Sequence, residues 1–392
     1  MSESICSAAL ARALRGEPWP AGLLDAVLAA PDARALFGIL AEGLSDRFEP
    51  RLCDAYAGLF SEVIARVLPQ FRAPELRARY ERVRRVRTFS GDAAAVENVI
   101  VLSRVTLGAD VAVTSLMLDA AKRRFPNARV VLAGGRKSYE LFAGDPRVEH
   151  LEVSYGRRES VADRLAAGLE LAQALAGVRG IVIDPDSRLT QLGLLPVCDE
   201  ASYYFFESRA YGAQSSEPLG SLARRWLAET FGIPDARAFI NCKGAPAVSE
   251  PKLCAVSFGV GENPAKRVAD PFEPALVEAL AARGFDVVVD TGPGGEEAER
   301  ARRAAAGRAR TWQGSFADFA GIIARSSLYV GYDSAGQHVA AACGVPLVSV
   351  FAGYPCERFL DRWRPWGPGR IEVVRADGDA LAATLAAVSK IR

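Results

Sequence analysis

The chain is poor in the residues that build metal centres and redox sites. It has two histidines and two methionines in 392 residues, and its seven cysteines (6, 53, 198, 242, 254, 343, 356) show no CxxC or Cys/His ligand spacing. This argues against a zinc module or a disulfide framework and for structural thiols in a reducing compartment. It also lacks any apolar run near the ~18 residues that would span a bilayer. The N-terminus MSESICSAALARALRGEPWP has Glu3, an early arginine and no sustained apolar core, so it reads as a poor signal peptide. The expectation is a cytoplasmic protein, or one held peripherally on the inner face of the cytoplasmic membrane. Charge of one sign is missing too: 48 Lys+Arg against 47 Asp+Glu leave +1. That balance gives no reason to expect a nucleic-acid partner, and any electrostatic function must be local.

Strand patterns are absent from the first 92 residues, where apolar positions recur at helical spacing (Leu23, Leu24, Val27, Leu28; then Leu52, Tyr56, Leu59, Phe60, Val63, Ile64, Val67). A helical module over 1–92 is expected. It ends in an arginine-rich segment, 72–87, with arginines at 72, 77, 79, 82, 84, 85 and 87 against two glutamates. This segment reads either as a solvated helix face or as a contact for an anionic membrane.

From Glu97 onward β-branched runs alternate with helical stretches: NVIVLSRV, ARVVLAGG, RVEHLEVS and GIVIDPD, with helices between. Such alternation is the pattern of βαβ units and a parallel sheet. NCKGAPAVSEPK (241–252) is rich in turn formers and reads as a linker. The alternation then restarts with LCAVSFGV, FDVVVDTG, ARTWQ, SLYVGY and PLVSVFAG. The expected fold is α/β, two Rossmann-like domains over 93–245 and 250–392 facing a cleft, preceded by the helical module. Ligands of open α/β sheets sit at strand carboxyl ends, and the polar clusters fall there.

In RVTLGADVAV, Gly108 would permit a tight turn and Asp110 stands in the first turn of a helix. It reads as a helix-capping carboxylate or as a general base for an acceptor hydroxyl. In SFGVGENPAKRV, Gly259 and Gly261 precede Lys266, a pattern suited to a diphosphate leaving group. In DTGPGGEEAER, Glu296 or Glu297 could accept from ribose hydroxyls, although the helix macrodipole alone favours glutamates there. In GYDSAGQHVAAACG, Asp333, Ser334, Gly336 and His338 surround a helix N-terminus that could cradle an anion. Asp186 and Arg188 in IDPDSRLTQ, and Tyr203, Tyr204 and Arg209 in ASYYFFESRAYG, are candidates for the acceptor side. Trp363 and Trp366 in RWRPWGPG read mainly as an interdomain anchor.

Four of these stretches resemble glycosyltransferase family 9, the ADP-heptose:lipopolysaccharide heptosyltransferase family of GT-B fold: SRVTLGADVAVTSLMLDAAKRRFPNARVVL, AKRVADPFEPALVEAL, GGEEAERA and, most specifically, GYDSAGQHVAAACGVPLVSVFAG. The resemblance covers about 97–392. It implies inverting, metal-independent transfer of a heptose or related sugar from a nucleotide-diphosphate sugar, ADP-linked in the family, with no separate cofactor. The acceptor would be a glycan or lipid-linked molecule in lipopolysaccharide or surface-polysaccharide synthesis. On that resemblance Asp110 is the base, Lys266 serves the diphosphate, and Gly261, Glu296, Asp333, Ser334, Gly336 and His338 bind the donor. The first Rossmann-like domain, with Asp186, Arg188 and Arg209, would hold the acceptor. The chain departs from the pattern where Ala109 separates Gly108 from Asp110, where Ala335 follows Asp-Ser, and where Arg267-Val268 follows the lysine. A non-catalytic nucleotide-sugar-binding scaffold and a GT-B nucleotide-sugar epimerase are the alternatives.

Overall fold

The computed structural model describes residues 2–30, 33–156, 160–213, 215–243, 250–261 and 263–391. Most of the linker expected over 241–252 lies outside the described residues. No described helix is long and apolar enough to cross a membrane.

Two parallel sheets form the frame. The first contains β1 (Asn98–Leu102), β2 (Arg129–Gly134), β3 (Val148–Glu152), β4 (Gly180–Asp184) and β5 (Tyr203–Phe205), in the order β3-β2-β1-β4-β5. The second contains β6 (Glu250–Ser257), β7 (Asp286–Asp290), β8 (Arg310–Trp312), β9 (Ser326–Tyr332), β10 (Leu347–Phe351) and β11 (Ile371–Arg375), in the order β11-β10-β9-β6-β7-β8. Strand order reverses between β1 and β4 in one sheet and between β6 and β9 in the other, and such switch points open a crevice at the carboxyl ends. The loops after β1, β4, β6 and β9 carry Asp110, Asp186, Gly261 and Asp333. β5 and β11 were not anticipated from the sequence. The three residues of β5 lie in a tyrosine-rich stretch read as loop, and they pair only with β4 at the sheet edge.

The N-terminal helices are Ser2–Arg15, Leu23–Leu28, a π-helical turn Ala35–Ala41 running into Glu42–Ser45, Pro50–Val67 and Ala73–Val83. Proline starts Pro50–Val67, where its missing N–H costs no hydrogen bond. The same helix buries Leu52, Tyr56, Leu59, Phe60, Val63 and Ile64. These side chains belong to one apolar core with Ile100, Leu102, Val131 and Val182 of the first sheet and Leu165 and Leu171 of helix Val161–Ala174. The helical module is therefore one cover layer of the first sheet. The opposite face packs on helices Ser115–Arg124 and Leu219–Phe231, and that core continues across the junction into Phe316–Arg325 and Ala335–Ala342 of the second half.

The arginine-rich segment needs a correction. Arg79 is buried, donates to the Gly193 carbonyl and lies 4.7 Å from the Tyr203 ring centroid. Arg82 pairs with Glu200, and Arg84 with Asp54 and Glu207. Arg87 donates to the carbonyls of Glu200, Ala201 and Tyr203 and stacks on Tyr204. Four of the seven arginines thus fasten the module to the edge of β5, because a planar five-donor fork can satisfy carbonyl clusters there. Arg79 and Arg84 are thereby withdrawn from the surface, whereas Arg82 and Arg87 stay exposed beside Arg72, Arg77 and Arg85.

Trp363 and Trp366 anchor the halves together. Trp363 contacts Phe48, and Arg224 lies 4.7 Å from the Trp366 ring centroid. Beside them, helix Glu357–Trp363 sends Arg362 to the carbonyls of Gly212 and Glu217.

Candidate active site

Asp110 begins a π-helical turn, Asp110–Thr114, that follows the short helix Leu107–Ala109. Its side chain points back at the end of β1. Ser103 Oγ donates to Oδ2 at 2.7 Å, while the Arg104 N–H and Thr114 Oγ1 donate to Oδ1 at 2.7 and 2.8 Å. The residue is 0% exposed, and burial raises its pKa from the ordinary carboxylate value against those hydrogen bonds. The carboxylate therefore braces the loop after β1, with no bond to a first-turn helix N–H of the kind the capping expectation required, and reaches a hydroxyl only when the loop shifts.

The tight turn expected at Gly108 lies at Val105, where φ is 70°. Gly108 serves close approach instead. A Cβ there would stand 3.2 Å from both Ala335 Cα and His338 Cδ2, so glycine lets the start of this helix abut the start of Ala335–Ala342 without pushing either residue aside. Two helix N-termini, each with unpaired N–H groups and a positive dipole end, meet at the junction.

On the second wall Lys266 Nζ lies 2.6 Å from Asp333 Oδ2 and 3.3 Å from the Asp333 carbonyl oxygen. The lysine side chain remains 19% exposed. Gln337 Nε2 donates to Asp333 Oδ1 at 2.6 Å, and Gln337 Oε1 accepts from Ser349 Oγ. Gln337, which sequence reasoning passed over, thus fixes Asp333 through a side chain on the next helical turn. Ser334 Oγ is buried with no hydrogen-bond partner among the described residues. Gly336 is needed for room and not for backbone freedom, since a Cβ there would collide with the Tyr329 hydroxyl. His338 is buried, edge-on to Trp363 at 6.0 Å, and burial pushes its imidazole down to about 4. It is neutral at physiological pH.

Gly261 adopts φ 62° in the loop after β6. Of the two glutamates in the helix Gly295–Ala305, Glu296 points outward with an 80% exposed side chain, 3.8 Å from Arg267. Glu297 points inward, accepting from the Val260 N–H at 3.0 Å and from Arg267 at 3.2 Å. The inward carboxylate is one residue later than the family resemblance suggested, because successive helix positions face about 100° apart.

Asp186, Arg188 and Arg209 come together in a cavity of about 310 Å³ beside the junction. Asp186 has φ 74°, a conformation costly for a non-glycine residue. It is held there by Arg209 at 2.5 Å and Ser208 Oγ at 2.7 Å. Trp363 from the second half also lines it, and the remaining lining residues named here were not singled out from sequence: Arg34, Phe37, Glu42 and Asp46 of the helical module, Arg104, Tyr155 and Arg164. Tyr203 and Tyr204 lie elsewhere, buried in β5 under arginines. Among the described residues no cluster of three or more His, Cys, Asp or Glu side chains could hold a metal ion.

Residues 265–381 match the model of glycosyltransferase family 9 (heptosyltransferase). Lipopolysaccharide heptosyltransferase 3 of Escherichia coli is 33% identical over 109 residues, covering 26% of this chain and 31% of that protein. The chain thus matches about a third of the length of this curated relative. The fold is similar to Escherichia coli heptosyltransferase WaaC with ADP (TM-score 0.55, 17% identity, 75% of this chain and 98% of that one). It is similar also to Escherichia coli ADP-heptose lipopolysaccharide heptosyltransferase II (TM-score 0.53, 15% identity, 75% and 98%). The two facing Rossmann-like sheets are those of the GT-B fold, with the N-terminal helices added. The motif residues Lys266, Asp333 and His338 lie inside the segment that matches glycosyltransferase family 9.

Proposed function

We propose that the protein is an inverting glycosyltransferase that moves a heptose or related sugar from a nucleotide-diphosphate sugar to a glycan or lipid-linked acceptor in lipopolysaccharide or surface-polysaccharide synthesis. The observation that carries this reading is the junction itself. Lys266, paired with Asp333, lies at the N-terminus of Ala335–Ala342, where that helix meets the helix start bearing Gly108 and Asp110. Two positive helix ends and a partly exposed lysine favour a diphosphate between the walls. Relatives support the donor class, since WaaC was solved with ADP and with ADP-2-deoxy-2-fluoro heptose.

In this mechanism the acceptor hydroxyl displaces one of the donors now held by Asp110 and gives its proton to the carboxylate. Burial has made that carboxylate more basic than an exposed aspartate. The oxygen attacks the anomeric carbon opposite the diphosphate, and the bond to the diphosphate breaks. Lys266 and the N–H groups of Ala335–Ala342 receive the developing negative charge. Glu297 or Glu296 would meet the ribose.

The complete enclosure of Asp110 favours one second reading, nucleotide-sugar binding without transfer. Incubation with a panel of nucleotide sugars, with and without candidate acceptors, separates the two by release of nucleoside diphosphate. Acceptor-dependent release that vanishes in Lys266→Ala supports transfer. Saturable binding without release under every acceptor condition overturns it in favour of the second reading, and a free epimerised nucleotide sugar would mark an epimerase.

A further inference from the structure

Among the described residues, Phe48 is the one buried side chain ahead of β1 that belongs to the apolar core crossing the junction, whereas Leu52, Tyr56, Phe60 and Val63 of the helical module pack on the opposite face of the first sheet. Phe48 is 1% exposed and has φ 55°. Left-handed backbone is costly for an aromatic residue and persists only where the surrounding contacts over-determine it. Those contacts come from the second half of the molecule. Arg358 Nη1 donates to the Phe48 carbonyl at 3.0 Å, and the Phe48 ring stands edge-on to Trp363 with the centroids 6.3 Å apart.

Arg358 and Trp363 both belong to helix Glu357–Trp363, which packs against the wall that carries Lys266 and Asp333. Its Phe359 ring centroid is 5.6 Å from Lys266 Nζ. The Trp363 ring lies 6.0 Å from His338, and the Trp363 carbonyl accepts from Gln337 Nε2 at 3.3 Å. Gln337 in turn donates to Asp333, the partner of Lys266. A continuous run of contacts thus leads from one strained residue of the helical module to the charged pair, across segments 310 residues apart. The helix is only seven residues long, so tertiary contacts decide where it sits. Arg362 ties it to the first half through the Gly212 and Glu217 carbonyls, and Phe48 is its apolar contact with the module.

We propose that Phe48 is a positioning residue for the donor: by holding Arg358 and Trp363 it sets helix Glu357–Trp363, and through Phe359 and Gln337 that helix sets Lys266 and Asp333 to receive a nucleoside diphosphate. The helical module is thereby coupled to the donor wall without itself contacting the donor. The inference rests on the reading of that wall as the donor site. A short helix anchored from two other bodies shifts when either anchor is lost, and a shift at Phe359 and Trp363 reaches the charged pair directly.

Calorimetric titration of the full chain with ADP, UDP and GDP tests this without turnover. Phe48→Ala and Phe48→Gly should each weaken the tightest of the three about threefold to thirtyfold. Glycine takes φ 55° without strain, so Phe48→Gly should resist denaturant better than Phe48→Ala and yet bind no better. A role confined to stability would restore affinity along with it. Phe48→Leu, which keeps an apolar contact with Trp363, should recover part of the loss. Val63→Ala, in the module core away from Trp363, should lower stability and leave nucleotide affinity within about twofold. In a Trp363→Leu background Phe48→Ala should add little, because both act along one run of contacts. Should Phe48→Ala fail to fold, Arg358→Met carries the same test by removing the bond to the Phe48 carbonyl, with a smaller loss. The inference is overturned by wild-type affinity in the Phe48 and Arg358 variants, by recovery in Phe48→Gly, by an equal loss in Val63→Ala, or by losses that simply multiply in the double variant. Absence of nucleotide binding by the wild-type chain overturns the donor reading and this inference with it, an outcome visible before any substitution is made.

Discussion

The two walls of the junction treat charge in opposite ways. On the donor wall the cations have partners: Lys266 with Asp333, Arg267 with Glu297, Arg300 with Glu273. In the chamber under the helical module Arg104, Arg164 and Arg188 have no ion pair among the described residues. A matched wall holds its shape empty and exchanges one partner for a ligand oxygen, so it suits a diphosphate that must arrive and leave. The chamber balances its charge less directly, through Asp186 on Arg209 and through Glu42 and Asp46 facing Arg188 at longer range.

The largest effect is expected on the matched wall. Lys266→Ala should lower turnover about 10²- to 10³-fold, the loss seen when one preorganised electrostatic donor is removed, as measured by nucleoside diphosphate release. Asp110→Asn comes next. If the carboxylate takes the acceptor proton, turnover should fall about 10²-fold or more. Because three donors now converge on it, stability should fall as well, by about 2 kcal/mol in chemical denaturation. Lost stability with unchanged turnover would reduce Asp110 to a brace.

Titration distinguishes the donor wall from the seam that fastens the helical module, with opposite signs. His338 in the fold has its pKa lowered from 6.5 to about 4, mainly by burial. Between those values the unfolded chain binds the extra proton, so this contribution is present at neutral pH and is lost as pH falls through the window. Glu207, beneath the module against Tyr80 and Arg84, is raised from 4.5 to about 7, mainly by burial. Here the folded state holds the proton, so the contribution is present in acid and is lost as pH rises from about 4.5 to 7. Each is worth on the order of 3 kcal/mol across its window. His338→Gln should flatten the acid limb of a stability–pH curve, and Glu207→Gln should flatten the opposite slope. Failure of both variants to alter the profile would refute these assignments.

Gly108→Ala should be the mildest change. Its Cβ would press on Ala335 and His338 across the junction, costing about 1 kcal/mol of stability. It should raise KM for the donor more than it lowers kcat, since the walls are held apart while the reacting groups remain.

Local features of the sequence carried much of this architecture. Alternating β-branched runs and amphipathic helices marked nine of the eleven strands among the described residues, missing β5 and β11. β5 is three residues long at a sheet edge, too short to show a period. The polar cluster after β9 was legible because Asp333, Gly336 and His338 sit within six residues and their spacing is set by one strand end and one helix turn. Glu297 in place of Glu296 at the inner face was a matter of one helical step, about 100°. The arginines of 72–87 read as surface charge because composition does not reveal a partner more than a hundred residues away, such as Glu200 or Gly193.

Sequence alone determined the alternation of elements, the two parallel sheets and the positions of polar clusters after strands, because backbone periodicity and strand-end chemistry are local properties. Only the tertiary structure decided what those clusters face. It closed Gly108 on His338, turned Asp110 inward to Ser103 and Thr114, and set Phe37 against Arg164 beside Trp363. Such contacts join segments far apart in the chain, and their energies come from burial and charge pairing that exist only after the layers have packed.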